Sequence, residues 1–513
     1  MRPAERRATA RFARLAAALG FAAALGVAAV LGGAAALGVA TAPGFAAAQP
    51  VPPTLPVAGV AVAAAPTVRV PAHTRTVLRN GVTLIIVPRA EVPLLTFAAV
   101  LRGGALADPP GQAGLANLTA SLLEKGAGSR DAFAFADTVE GAGGSFSAGA
   151  DAESITVRGQ FLARDRDLAL ELLADALLRP RLDAAEFETL RARQIEFIKS
   201  ARDSQPSSLI GTYGRALLFG DHPYGAATFG SPRSLAALTH ADVQAFQRAQ
   251  FGADRLTLVF AGDVEPRALE RAVRAAFERM PAAPAALPVL PEPARQQGRR
   301  VLLVDAPGAA QTYFWLGNTG VPRRYGARAA LDVVNTLYGG RFTSILNTEL
   351  RVKSGLSYGA SSAFDPGLVA GPFAITSFAQ TENTRRAVDL ALKTLDDLHR
   401  GTPEPALLQS ARTYVLGQFP LRFETASQWA GALADLEFNG LGLDDIEAYG
   451  TALAAVDGSA ARAVIAQAFP HPADLAIVLI GDAERIRADA QSYGPVVEIA
   501  LSADEYLPAL PAR

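Results

Sequence analysis

The 513-residue chain has no cysteine. Disulfide staples and thiolate metal sites are therefore excluded, and the absence fits a protein exported from a bacterial cytoplasm. Histidine is nearly as scarce. The five residues His73, His222, His240, His399 and His471 never fall at helical pair spacing, so no helix can offer two imidazoles to one metal ion. His222 lies in the turn-like segment Asp221-His222-Pro223-Tyr224-Gly225, where a structural role is expected. No Gly-x-Ser-x-Gly elbow marks an acyl-transfer nucleophile, and no local pattern marks a Ser/His/Asp triad. The glycine-rich run 339–344 lacks the Lys-Ser/Thr of a phosphate loop, and 141–144 reads as a turn before a strand.

What is present begins with a targeting pattern. Arg2, Arg6, Arg7, Arg11 and Arg14 form a basic start, an Ala/Leu/Gly/Val run follows over 15–40, and Ala46-Ala47-Ala48 offers a small-residue cleavage site. This predicts a secretory signal over 1–48 and a periplasmic mature chain. The apolar run is also long enough to serve as an uncleaved membrane anchor. Cleavage removes five arginines and Glu5, taking the net charge from −1 to −5. A mildly acidic chain lacks the basic face that nucleic-acid binding requires. Residues 49–66, rich in Pro, Ala and Val, read as a flexible leader.

Pro281, Pro284, Pro288, Pro291 and Pro293 mark 281–298 as a linker, because proline disfavours helix interiors and central strands. It separates two segments of similar length, 67–280 and 299–513. Each ends on a similar phrase. Leu256-Thr257-Leu258-Val259-Phe260-Ala261-Gly262-Asp263 in the first matches Ala476-Ile477-Val478-Leu479-Ile480-Gly481-Asp482 in the second, with the glycines 219 positions apart. Each Gly-Asp is expected to end a buried strand and open a helix, with Asp as a cap. Strand-like runs (82–87, 95–100, 312–317, 373–378) alternate with helical ones (165–178, 184–201, 325–337, 384–398). Residues 154–158 alternate like a sheet edge. The expected fold class is α+β: two tandem homologous α/β-sandwich domains from a duplication.

Several motifs resemble one family. The stretch 111–126, with Gly114-Leu115-Ala116 leading in and Lys125-Gly126 leading out, resembles the zinc helix of the pitrilysin/insulinase metallopeptidases. Asp221-His222-Pro223-Tyr224-Gly225, Gly230, Leu238-Thr239 and Phe246 are similar to that family's first domain. The family motif is His-x-x-Glu-His, in which two histidines hold zinc and the glutamate activates water. Here those places hold Asn117, Ala120 and Ser121, and the place of the third ligand falls at Ile198. An amide, a methyl and a hydroxyl are not a zinc set, and Ala120 cannot take a proton. Glu196 is about 200° around the helix from Ile198 and should point elsewhere.

The second segment keeps a different motif. Arg351 and Tyr358, with Gly355 between them, resemble the family's Arg-x6-Tyr pair, which the resemblance implies contacts substrate and helps hold the oxyanion. The upstream run 339–346 is similar to the family's approach to that helix. The resemblance implies a zinc-free subunit, like one chain of the two-chain processing peptidases. Such a chain binds no metal itself, pairs with a homologous zinc-binding chain, handles peptide substrate and donates Arg351 and Tyr358. The alternative is a catalytically inactive structural or peptide-binding scaffold of the same fold.

Overall fold

Two six-stranded sheets organise residues 67–508, which the computed structural model describes. The expected signal segment 1–48 and leader 49–66 lie outside the described residues. The first half supplies β1 (Thr74–Val77), β2 (Thr83–Pro88), β3 (Leu94–Arg102), the short separate pair β4 (Gly126–Ala127) and β5 (Arg130–Asp131), β6 (Ser145–Ala150), β7 (Ser154–Leu162) and β8 (Leu256–Gly262). The second half supplies β9 (Arg300–Asp305), β10 (Gln311–Thr319), β11 (Ala360–Phe364), β12 (Pro372–Gln380), β13 (Ala476–Gly481) and β14 (Val496–Ala500).

Strand order makes the duplication visible. One sheet runs β6-β7-β3-β8-β2-β1 and the other β11-β12-β10-β13-β9-β14. In each, the strand ending in Gly-Asp lies parallel to the opening strand (β8 with β2, β13 with β9) and antiparallel to the next (β3, β10). Only the far edge is finished differently. β1 precedes β2 and runs antiparallel to it, whereas β14 closes the chain's last sheet parallel to β9. The α+β class expected from the alternating runs is the one observed.

The inner strands are apolar on both faces, so each sheet needs two covers. Among the helices that cover the sheets or carry the motifs are α1 (Leu115–Leu122), α2 (Arg166–Leu178), α3 (Ala184–Ser204), α4 (Ile210–Phe219), α5 (Pro266–Phe277), α6 (Arg328–Tyr338), α7 (Thr384–Arg400), α8 (Pro405–Gln418), α9 (Ala426–Asn439) and α10 (Ala483–Tyr493). Phe97, Ala99, Leu258 and Phe260 face α1, α2 and α5 within the first half. α5 meets them with Leu269, Val273 and Phe277, one turn apart. The opposite face of the same strands, Ala98, Val100, Val259 and Ala261, is buried by the second half, whose α9 lies against β3 and β8.

The exchange is mutual. α4 of the first half, with Ile210, Tyr213 and Leu217, packs on Leu302, Trp315 and Val478 of the second sheet. A Cβ built at Gly214 would stand 2.5 Å from Trp315 ring atoms, so glycine lets the helix backbone rest on the indole.

Two local expectations need correction. β7 is not an edge: it lies between β3 and β6. Its alternation arises because Arg158 and Gln160 are exposed on one sheet face while Val157, Gly159 and Phe161 are buried on the other. One bare face gives the same period-two signal as an edge. The Gly-Asp phrases also differ. Asp482 caps α10, accepting from the Glu484 amide at 3.2 Å, but Glu265 rather than Asp263 caps α5, accepting from Arg267 and Ala268. Residues 281–298 contain no helix or strand. His222 helps to hold them: its Nδ1 accepts from the Tyr224 amide at 3.1 Å, leaving Nε2–H to donate to the Pro291 carbonyl at 2.9 Å.

Candidate functional site

α1 is short and enters through Gly114, whose φ of +96° only glycine adopts readily. The half-buried Asp108 carboxylate closes this helix start. It accepts from the Gly114 amide at 2.9 Å and the Ala116 amide at 2.7 Å. Burial pushes the Asp108 carboxyl up to about 7, while the backbone donors pull it down.

The four motif positions fall on two helices that pack together, α1 and α3. Asn117 is buried, Ala120 is fully buried, and Ser121 donates its hydroxyl to the Asn117 carbonyl at 2.9 Å. Ile198 is part of the apolar core of the first half. Glu196 points out, paired with Lys199 at 3.0 Å. These side chains do not fit a zinc ion. They offer one amide, one committed hydroxyl and two hydrocarbon groups where zinc takes imidazole, thiolate or carboxylate. Among the described residues, no group of three or more His, Asp and Glu could hold a metal.

Just beyond α1, Glu124 reaches the edge strand β6 and accepts the Ala148 amide. Burial raises the Glu124 pKa against that bond. The sequence shows Glu124 only as part of a matched motif, because a bond spanning 24 residues leaves no local pattern.

The second motif has a different setting. Residues 348–353 wind as a π-turn, and Arg351 lies in it. Such turns recur at functional sites because the wider winding re-aims side chains. Gly355, at φ +62°, turns the chain back. The Leu350 carbonyl then accepts from the Leu356 and Ser357 amides at 3.0 and 3.1 Å. Ser357 and Ser377 share a hydroxyl bond of 2.9 Å, and buried Asn347 ties the Phe342 carbonyl to the start of β11. The backbone is thus pinned while the side chains stay outside.

Tyr358 is 75% exposed and is no core aromatic. The Arg351 guanidinium carbon lies 4.4 Å from the Tyr358 ring centroid and 4.7 Å from that of Phe342, itself 63% exposed. Two cation–π contacts favour this placement of the guanidinium and leave its N–H groups without a hydrogen-bond partner among the described residues. Among the described residues, Arg351 has no ion pair, and no hydrogen bond or ring contact joins Arg351 or Tyr358 to α1. The structure therefore brings Arg351 and Tyr358 together but does not join them to the Asn117–Ser121 helix. Phe342, which the motif reading placed only in the approach 339–346, is the third member of this cluster.

Comparisons with known proteins agree with this layout. Residues 90–229 match a family described as insulinase (peptidase family M16), and residues 237–415 match one described as the peptidase M16 inactive domain. An uncharacterized zinc protease of Mycobacterium tuberculosis is 29% identical over 333 residues, 64% of this chain and 75% of that protein. The non-peptidase homolog YmxG of Helicobacter pylori is 24% identical over 359 residues, 69% of this chain and 81% of that protein. Among solved structures, a peptidase M16 inactive domain from Pseudomonas fluorescens superposes with a TM-score of 0.74 at 23% identity, covering 80% of this chain and 98% of that one.

Proposed function

Because the chain belongs to the insulinase (M16) peptidase family, we propose that it is the zinc-free member of a two-chain peptidase. The observation that carries this reading is the Arg351–Tyr358 pair: stacked on each other, set on a hydrogen-bonded turn, and without an ion pair or hydrogen bond of their side chains among the described residues. A guanidinium and a phenol are donors suited to the negative charge that develops on a peptide carbonyl during hydrolysis. This chain supplies no zinc set and no base of its own at Asn117, Ala120, Ser121 and Ile198, so the charge it would stabilise belongs to a homologous partner's site. The partner would hold the zinc and activate the water.

Two edges of this chain's sheets, β6 and β11, support placing the extended substrate on the partner. β6 has its Ala148 amide taken by Glu124. β11 is closed further: its Ala360 amide goes to Asn347, its Ser362 amide to the Gly339 carbonyl, and its Ser362 carbonyl accepts from Asn335. Strand addition needs such groups to be free. The expected signal segment supports a periplasmic location for the pair.

The test is peptide hydrolysis by the mature chain with zinc, alone and mixed with a co-encoded His-x-x-Glu-His homologue. Activity should appear only in the mixture. Arg351→Ala or Tyr358→Phe in this chain should lower kcat by about 10²–10³-fold, the usual cost of one oxyanion donor. Chelator-sensitive hydrolysis by this chain alone would overturn the reading. The similarity to a non-peptidase homolog favours a second reading, an inactive peptide-binding scaffold. A stable complex whose activity ignores both substitutions would select it.

A further inference from the structure

A cavity of about 500 Å³ opens where the two halves meet, beside the part of the first sheet that α9 leaves bare. That volume suits a small-molecule or short-peptide ligand. Its floor is β7, its wall is α9, and its rim is formed by the β6–β7 and β11–β12 turns. The turns are tied together: Glu153 accepts from the Tyr224 hydroxyl and from the Leu368 amide at 2.7 Å, so the cavity spans the seam on a fixed frame.

Four carboxylates and three arginines line this cavity, and Arg158 is the one lining cation without a carboxylate partner among the described residues. Each lining carboxylate is already engaged. Asp365 pairs with Arg215. Asp435 pairs with Arg323 at 2.7 Å. Glu153 is held as described. Asp151 accepts from the Glu153 and Ser154 amides at 2.7 and 2.6 Å. Two of the three lining arginines are used in these pairs. The third, Arg158, has no ion pair or hydrogen bond among the described residues. The register explains why. Arg158 stands opposite Ala98 on β3 and Ser147 on β6, so no cross-strand carboxylate is available, although opposite charges are what such positions favour. One guanidinium with no carboxylate partner among the described residues therefore faces a cavity whose other walls carry Phe229, 53% exposed, and Phe438.

We propose that this seam cavity binds a carboxylate attached to an apolar or aromatic body, with Arg158 as the anchor. The shared chemistry is a carboxylate, supplied either by the free C-terminus of a peptide or by an acidic side chain within one. The site uses neither the Arg351–Tyr358 pair nor a partner chain, so it stands or falls separately from the proposed peptidase role.

Calorimetric titration of the purified mature chain tests it with three short acetylated peptides: one ending in Phe with a free carboxylate, its C-terminal amide, and an amidated peptide with one internal Glu. The free acid should bind. If the C-terminus is the source, both amidated peptides should bind about 10- to 100-fold more weakly, the usual worth of a charge-assisted bond. If any carboxylate serves, the Glu peptide should match the free acid. Arg158→Ala should remove the preference for the acid while leaving the melting temperature within a degree or so, since the side chain has no partner to lose. Arg158→Lys should restore part of it. Equal binding of acid and plain amide, no binding at millimolar concentration, or a preference that survives Arg158→Ala would each overturn the proposal.

Discussion

The two halves of this chain share a strand order and lend each other a helix, yet they complete the same plan with different residues. Where α4 crosses the second sheet, the bulk is on the strand: Trp315 fills the seam and Gly214 gives way on the helix. Where α9 crosses the first sheet, the strand side is small, with Ala98, Val100 and Ala261, and the helix brings Leu433. Duplication preserves the need for a cover on each inner face but not the side from which volume comes. Packing density has to be met, and many residue pairs meet it.

The largest effect should come from the bulky side of that contrast. Trp315→Ala is expected to cost about 3–5 kcal/mol, because it empties a buried seam that the second half cannot refill from its own helices. Gly214→Ala should cost about 1–3 kcal/mol despite alanine's better helix propensity, because the new Cβ meets the indole. The two substitutions should not add. With the indole gone, Gly214→Ala should become neutral or stabilising, a coupling that urea unfolding of the four variants would measure. Additive costs would mean that α4 does not rest on Trp315.

Much of this plan was legible in the sequence. The repeated Gly-Asp strand phrase revealed the duplication, and the long alternating runs gave the α+β class, because periodicity follows directly from which faces are buried. Helix exchange was not legible. The apolar stripe of α9 states that a face is buried, not which sheet buries it. The same limit explains why 154–158 read as an edge: a bare face and a bare edge both alternate. At the candidate site, Asn117, Ala120, Ser121 and Ile198 disclosed their chemistry by residue type alone. The π-turn under Arg351, the ring of Phe342 against it and the reach of Glu124 to Ala148 depend on tertiary contacts that no short pattern encodes.

A second difference between the halves is titratable. Asp108 closes the start of α1, whereas Ala327, 219 positions on, stands at the N-cap of α6 and offers no side-chain acceptor. The folded-state pKa of Asp108 is raised from 3.8 to about 7, chiefly by burial. The folded chain therefore holds this proton more tightly than the unfolded chain. Its contribution is full below about pH 4 and is lost as pH rises towards about 7. We expect a loss of a few kcal/mol over that window, about 1.4 kcal/mol for each pH unit between the two values. Asp108→Asn should flatten the difference. Urea midpoints for wild type and variant at about pH 4.5 and about pH 7.5 decide the matter. A variant-to-wild-type gap independent of pH would show that Asp108 does not titrate in this range.

The smallest effects distinguish two of the sheet edges, β6 and β11. An unpaired edge strand invites another chain, and each half blocks this differently. β11 is sealed by Asn347, a neutral amide only 3% exposed that serves two backbone groups at once. β6 is guarded at one amide by Glu124, whose charge is costly where it sits. Asn347→Ala should cost about 1–3 kcal/mol, because it orphans buried groups. Glu124→Ala should cost about 1 kcal/mol or less, since the freed Ala148 amide can turn to water. Amide hydrogen exchange separates the cases. Ala360 should lose protection in the first variant and Ala148 in the second, with little change elsewhere along β6. If Ala148 exchanges equally fast in wild type and Glu124→Ala, the β6 edge is already open. This chain could then add an extended peptide to its own sheet, and the argument for placing substrate on the partner would lose its support.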